Sequence, residues 1–244
     1  MKNSQMHIFS ATGNTQRIAQ FVMSKIDDAG GDVLNDLVLI GCPIYKGRVP
    51  VDYMQWLEEH PFSNRKVILV LSYGNGHIDD AVLELYDWAR LHQNHVIGAV
   101  AMVSPHSYST VSHPIAEERP TKDEWNQLEK FAAVMIDKLQ KGDLNDIKVD
   151  GNHPYKELIS HAAIQPQKDT TRCCECGQCE EVCAMIHPEK LGLKDIQVSQ
   201  CLMCGACIKC CPTEAISFEG TDMMLVLERV RGFCATPKPS LFIQ

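Results

Sequence analysis

Apolar positions in the first 141 residues fall into two alternating patterns. Met6 to Phe9, Leu37 to Ile40, Val67 to Leu71 and Val96 to Val103 are short runs, apolar almost throughout, as expected of strands covered on both faces. Between them the apolar positions recur every three or four residues. Ile18, Ala19, Val22 and Ile26 do so within Thr15 to Ile26, and Val82, Leu85, Tyr86 and Ala89 within Asp79 to Leu91, which is helical spacing. Thr121-Lys122-Asp123-Glu124 reads as a capping box, with a stripe at Leu128, Ala132, Met135 and Leu139 behind it. Strands alternating with helices predict right-handed crossovers and a parallel sheet.

The pattern breaks after residue 141. Gly142 to Thr171 is polar and rich in turn formers, with one short helical candidate near Tyr155 to Ala163, and is expected to be a linker that partly packs. A different regime follows. Ten of the twelve cysteines lie between Cys173 and Cys211. The spacing C-x2-C-x2-C-x3-C occurs twice: Cys173, Cys176, Cys179 and Cys183 recur 28 residues later (201 − 173) at Cys201, Cys204, Cys207 and Cys211. The repeat isolates Cys174 and Cys210 as extras.

Tight two-residue gaps let three thiolates of one loop reach three irons of a cubane. In two-cluster ferredoxins the fourth cysteine of each run ligates the other cluster. The expected ligand sets are therefore Cys173, Cys176, Cys179 and Cys211 for one [4Fe-4S] cluster, and Cys201, Cys204, Cys207 and Cys183 for a second. Gly177 and Gly205 follow the second cysteine of each run, where the backbone must turn tightly, and Pro212 follows the last ligand. Ala184 stands where the corresponding proline would follow Cys183, which affects a turn and no ligand. Structural zinc is the rival, but zinc ribbons show isolated C-x2-C pairs. Cys174, Cys210, Cys42 and Cys234 are expected to be small buried fillers.

Composition narrows the context. The chain has 244 residues, 45% hydrophobic content and a formal net charge of −8. The length suits one or two domains. Clustered cysteines in a reducing compartment point to metal binding. The longest apolar run has eight residues, short of the roughly 18 a membrane span needs. The first ten residues lack the apolar core of a signal peptide, so the cytoplasm is expected. The acidic balance and the lack of a long basic patch argue against nucleic acid as a partner.

The chemistry of the α/β half lies in its loops. His7 to Thr15, H-I-F-S-A-T-G-N-T, runs from strand into helix. Ser10, Thr12, Asn14 and Thr15 offer neutral donors and Gly13 lets the backbone close around an anion, which amides at a helix N-terminus favour. With no lysine in the loop, unlike a Walker A motif, a phosphate monoester such as that of FMN is expected. The rival is a plain N-cap. G-C-P-I-Y-K-G-R-V-P (Gly41 to Pro50), S-Y-G-N-G-H (Ser72 to His77) and the 17-residue stretch Ser104 to Pro120 follow the other strands. Open α/β sheets bind ligands at the carboxyl ends of strands. Tyr45 and Tyr73 are natural stacking partners for a flat ring. His77 and His106 are candidates to hydrogen-bond a flavin or substrate, with water-facing loop histidines as the plainer reading. Lys46 and Arg48 either offset cofactor charge or are simply solvated.

F-S-A-T-G-N-T, G-C-P-I-Y-K-G-R-V-P, Y-G-N-G-H-I-D-D-A and S-P-H-S-Y-S-T with H-P-I-A-E-E-R-P resemble the flavodoxin half of the flavodoxin–ferredoxin fusion family, and the cysteine repeat resembles its ferredoxin half. The resemblance spans nearly the whole chain. It implies a flavodoxin-like domain at 1–141, a linker at 142–171, a small α+β two-cluster ferredoxin domain at 172–220 and a C-terminal extension at 221–244. It also implies FMN with its phosphate at Ser10 to Thr15 and its ring against Pro43, Ile44, Tyr45 and Gly47 and against Tyr73, Gly74 and Asn75. One departure stands out. Only Asp27 to Asp36 separates the first helix from the Leu37 strand, too short for the strand and helix that the flavodoxin pattern places there. A sheet of four parallel strands is expected, with the first strand at its edge. Bare edges invite aggregation, so the linker, the ferredoxin domain or a second copy of the chain is expected to cover it.

The function that follows is electron transfer. Clusters exchange single electrons and flavin one or two, so the chain would couple one- and two-electron redox partners. A partner protein with a basic docking patch is expected, with an on-rate that falls as salt rises. The alternative is an FMN-dependent reductase of a quinone or nitro compound fed by its own clusters. A non-redox module with degenerate sites would purify colourless.

Overall fold

The computed structural model describes residues 5–30, 36–110, 113–158, 164–218 and 222–244. The fold is mixed α/β. Strands β1 (Gln5–Ile8), β2 (Leu37–Pro43), β3 (Lys66–Tyr73) and β4 (His95–Val103) run parallel in the order β1-β2-β3-β4. The helices α1 (Asn14–Ala29), α2 (Val51–Glu59), α3 (Ala81–Leu91) and α4 (Lys122–Lys141) connect or follow them. Side chains alternate across the sheet, as a strand's period of two requires, except at a bulge in β4 where Ile97 is the extra residue between Val96 and Gly98. Leu37, Leu39, Ile68, Val70, Ile97 and Val100 face α1 and α4, and Val38, Ile40, Val67 and Leu69 pack with Tyr53, Trp56, Leu85 and Trp88 of α2 and α3. The Thr121–Glu124 capping box forms as expected.

Two elements correct the sequence-based picture. Helix α2 was not expected, although Tyr53, Trp56 and Leu57 show its i, i+3, i+4 spacing behind Pro50. The sheet also has a fifth strand. The chain returns after α7 (Met223–Cys234), and β7 (Leu241–Ile243) pairs antiparallel with β4, from Ala99↔Ile243 to Ala101↔Leu241. The four parallel strands stand as expected. The C-terminal extension is a structural part of their sheet, because three apolar residues behind an irregular Pro-Lys-Pro-Ser segment satisfy the exposed edge of β4.

Among the described residues strand β1 pairs with β2 alone. The connector between the two cysteine runs reaches its carboxyl end. Leu191 accepts a hydrogen bond from the Ser10 amide at 2.9 Å, and Leu191, Leu193 and Ile196 join the α2/α3 core. A Cβ on Gly192 would lie 2.7 Å from the Ile8 carbonyl oxygen, so only glycine allows this approach. The Trp56 indole donates to the Lys194 carbonyl at 2.7 Å. Tyr53 fastens the edge from the other side. Its hydroxyl donates to the His7 carbonyl (2.6 Å) and accepts from the Gly41 amide (3.0 Å). Tyr53→Phe leaves both backbone groups without this partner in a buried site and should lower unfolding free energy by about 1–3 kcal/mol, measured by urea denaturation.

The linker packs more than partly. Ile147 is buried and its amide donates to Val96, while Asp146 accepts from the Val96 amide. Asp80, at the start of α3, accepts from the amides of Asn152 and Lys156. Arg48 is neither solvated nor free for a cofactor: it grips Glu84 with two nitrogens at 2.8 and 2.9 Å and lies 4.9 Å over the Tyr155 ring. Lys46 is exposed. Within the helical candidate near Tyr155 to Ala163, residues 155–158 are irregular and 159–163 lie outside the described residues. Among the described residues no helix is long and apolar enough to cross a membrane.

Candidate functional site

The sequence repeat is also a backbone repeat. Helices α5 (Gln178–Glu181) and α6 (Ala206–Cys210) start 28 residues apart, after Gly177 and Gly205 at φ 74° and 70°. Glu175 and Met203 both adopt positive φ, 55° and 51°. Their amides donate to Cys173 and Cys201 Sγ, each at 3.4 Å. The amides of Cys183 and Cys211 likewise donate to Glu180 and Ile208. A two-strand ribbon, β5 (Gln167–Lys168) against β6 (Ile216–Ser217), brackets the two runs.

A cavity of about 240 Å³ is walled by Cys173, Cys176 and Cys179 of the first run and by Cys211 of the second. The two runs therefore contribute to one site. Cys211 Sγ accepts from the Ala215 amide at 3.2 Å and lies 3.7 Å from the Thr213 hydroxyl. Burial alone would raise this thiol, but the Thr213 hydroxyl and the amides of Thr213, Ala215 and Ile216 outweigh it and hold its pKa below the ordinary value. Cys174 also lines the cavity and is exposed, so it is no buried filler. Cys210 is partly buried and donates to the Cys207 carbonyl, while Cys42 and Cys234 are buried. Ala184, in the proline position, is packed into the α2/α3 core.

Cys201, Cys204, Cys207 and Cys183 form the second group. Burial pushes the Cys207 thiol up to about 12, with further contributions from Cys204, Cys201 and Cys183.

The strand-to-helix loop at Ser10–Thr15 presents Gly13 as N-cap at φ 79°. Its frame is built from its own side chains: Ser10 Oγ accepts from the Gln16 amide, Thr15 and Ser72 hydroxyls meet at 2.7 Å, and Asn14 donates to the Pro105 carbonyl. Among the described residues no protein acceptor is bonded to the amides of Ala11 to Thr15, and Thr12 and Gly13 are exposed. Ser104, just after β4 and 2% exposed, has a buried hydroxyl with no partner among the described residues. Open amides at the start of a 16-residue helix fit an anion, and the orphaned hydroxyl fits a polar ligand at the same end of the sheet.

The ring-side loops have a mixed role. Ile44 is held by Ser72, and Tyr45 and Arg48 exchange two backbone bonds at 3.0 Å. The turn needs Gly47, at φ 81°, because a Cβ there would lie 2.0 Å from Asp79 Oδ2. Pro43 and Tyr45 remain partly exposed. Burial, then the nearby Cys204 thiol, raises the Tyr45 phenol well above its ordinary value. Tyr73 and Asn75 hold the C-terminal tail. Tyr73 donates to Pro239 at 2.6 Å and is 5% exposed, while Asn75 donates to Cys234 and Thr236 and accepts from the Lys238 amide at 2.7 Å. The Cys234 thiol bonds the Gly74 carbonyl. No local signal in the sequence announced this clamp.

His106 sits over Gly74, where a Cβ would meet its ring at 2.3 Å. Its Nδ1 accepts from the Tyr108 amide, and burial followed by the Lys209 charge pushes its pKa down to about 4. It is partly buried and packs on Gly74, so it is not a freely water-facing loop histidine. His77 is exposed, edge-on to Phe233.

These features define an α/β protein with a parallel-dominated sheet and a cysteine-rich segment that carries a 28-residue repeat. No family model matches the chain, and no curated protein matches it by sequence. Among solved structures, one described as the structure of a flavodoxin from the domain Archaea is similar, with a TM-score of 0.43 and 11% identity over 56% of this chain and 98% of the other. That likeness is remote, so the chemistry is read from the chain's own residues.

Proposed function

We propose that the chain is an electron-transfer protein holding two [4Fe-4S] clusters, on Cys173, Cys176, Cys179 and Cys211 and on Cys201, Cys204, Cys207 and Cys183, together with one FMN at the Ser10–Thr15 loop. The observation that carries it is the cavity that unites three thiols of the first run with Cys211 of the second. Cross-ligation of this kind is the habit of two-cluster ferredoxins. When bound, the clusters supply single-electron exchange and the flavin one- or two-electron exchange.

The protein's own contribution is electrostatic and positional. Amides of Glu175, Met203 and Ala215 point at thiol sulfurs, where they stabilise negative charge. The open amides after Ser10 would take the phosphate, and Pro43 to Gly47 would border the ring. Tyr73 to Asn75 would act through the tail they clamp. In this reading residues 1–141 with the returning tail form the flavin half and 167–218 the cluster half. A chain of net charge −8 would meet a basic partner protein, with association slowed by salt. Anaerobic purification should yield about eight irons, about eight sulfides and about one FMN per chain. Stoichiometric zinc without sulfide would overturn the reading.

A further inference from the structure

The two cysteine runs share one backbone but not one environment. Gly177 and Gly205 occupy equivalent places with nearly equal φ. A Cβ on Gly177 would meet nothing within 4 Å, whereas a Cβ on Gly205 would lie 2.5 Å from the Ser107 carbonyl oxygen. Gly205 is buried. Around it the second run is seated on the loop that follows β4: the Tyr108 ring meets Phe218 edge-on at 5.7 Å, and Lys209 lies 4.0 Å from Glu117. That same loop holds Asn14 of the phosphate loop through Pro105 and covers Gly74 through His106. On the first run Cys174 and Cys176 are exposed, and the cavity opens beside Gly177.

We propose that the second run, Cys201 to Cys207 with Cys183, is the inner site, seated on the cofactor loops, and that Gly205 is the positioning residue that permits the seat. The first run is the outer site, which leaves the solvent-facing cavity for a redox partner. This rests on the cofactor reading above. It predicts an asymmetry that the sequence repeat conceals: disturbing the second run changes the FMN site and disturbing the first does not. Because both glycines are left-handed, alanine strains both alike. Only at Gly205 does it also collide with the neighbouring loop.

The test compares the wild-type chain with Gly205→Ala and Gly177→Ala, all prepared anaerobically. Hydrogen exchange of the amides in 106–110 should accelerate about tenfold in Gly205→Ala and stay within about twofold of wild type in Gly177→Ala. FMN affinity, titrated by flavin fluorescence, should weaken about tenfold in the first variant only. Tyr108→Leu, which removes the Phe218 contact without backbone strain, should reproduce the faster exchange if Gly205→Ala does not fold. Equal responses of the two glycine variants, or no response in Gly205→Ala or Tyr108→Leu, would overturn the seating. If no chain binds FMN but the exchange contrast persists, the seating stands and the flavin reading falls. If FMN binds and the contrast is absent, the reverse holds.

Discussion

Replacing Cys211 with alanine is expected to cut the iron content from about eight to about four atoms per chain, and the lost cluster should be the one belonging to the first run. Cys211 sits at the end of the second run in the sequence but walls the cavity with Cys173, Cys176 and Cys179. Paired variants separate this from two self-contained sites. Cys176→Ala with Cys211→Ala removes two ligands of one group, so iron should stay at about four. Cys204→Ala with Cys211→Ala removes one ligand from each group, so iron should fall towards zero. If the latter pair retained four irons and the former none, each run would hold its own cluster and the interlocked assignment would be wrong. Cys210→Ala should keep all eight, since its thiol is bonded to the Cys207 carbonyl.

Glu124→Ala should lower unfolding free energy by about 3–5 kcal/mol, the usual range for removing one partner of a buried ion pair. Glu124 is 6% exposed. Its carboxylate accepts from the Arg119 guanidinium, the Ser240 hydroxyl and the Thr121 amide. Arg119 in turn donates to the Lys238 carbonyl, and Ser240 accepts from the Val103 amide. One carboxylate therefore caps α4 and pins the tail that supplies β7 and clamps Tyr73 and Asn75. Burial alone would raise its pKa, but the Arg119, Ser240 and Thr121 hydrogen bonds hold it down to about 2, from an ordinary 4.5. A folded-state pKa below the unfolded value means stability that is complete above pH 4.5 and lost as pH falls towards 2. The amount is about 3 kcal/mol. Urea denaturation of wild type and Glu124→Gln across that range should show the wild-type advantage shrinking with acid. A constant gap would show that the ionised form plays no special part.

The α/β half was legible where its signals are local. Continuous apolar runs marked β1 to β4, the i, i+3, i+4 stripes marked α1, α3 and α4, and the capping box marked where α4 begins. Helix α2 carries the same kind of stripe and was readable in principle, hidden behind a loop that drew attention to its ligand chemistry. The loops illustrate the limit. Tyr73 and Asn75 have the residue types of a ring-binding loop, and nothing near them shows that the backbone amide of Lys238, 163 residues further on, donates to the Asn75 side-chain oxygen Oδ1. His106 has the residue type of a catalytic base, and its role depends on the missing side chain of Gly74.

The sequence by itself determined the strand and helix alternation, the missing strand-helix unit after α1, and the 28-residue repeat that pairs the cysteines and sets Cys174 and Cys210 apart. Each of these is written in periodicity or covalent spacing, which the chain carries whatever its fold. The tertiary structure alone decided that the connector reaches the carboxyl end of β1, that the tail completes the sheet beyond β4, and that Gly205 rather than Gly177 lies against a neighbouring loop. Those outcomes join residues far apart in the chain. They follow from which surfaces become adjacent once the core has packed, and no local pattern encodes that.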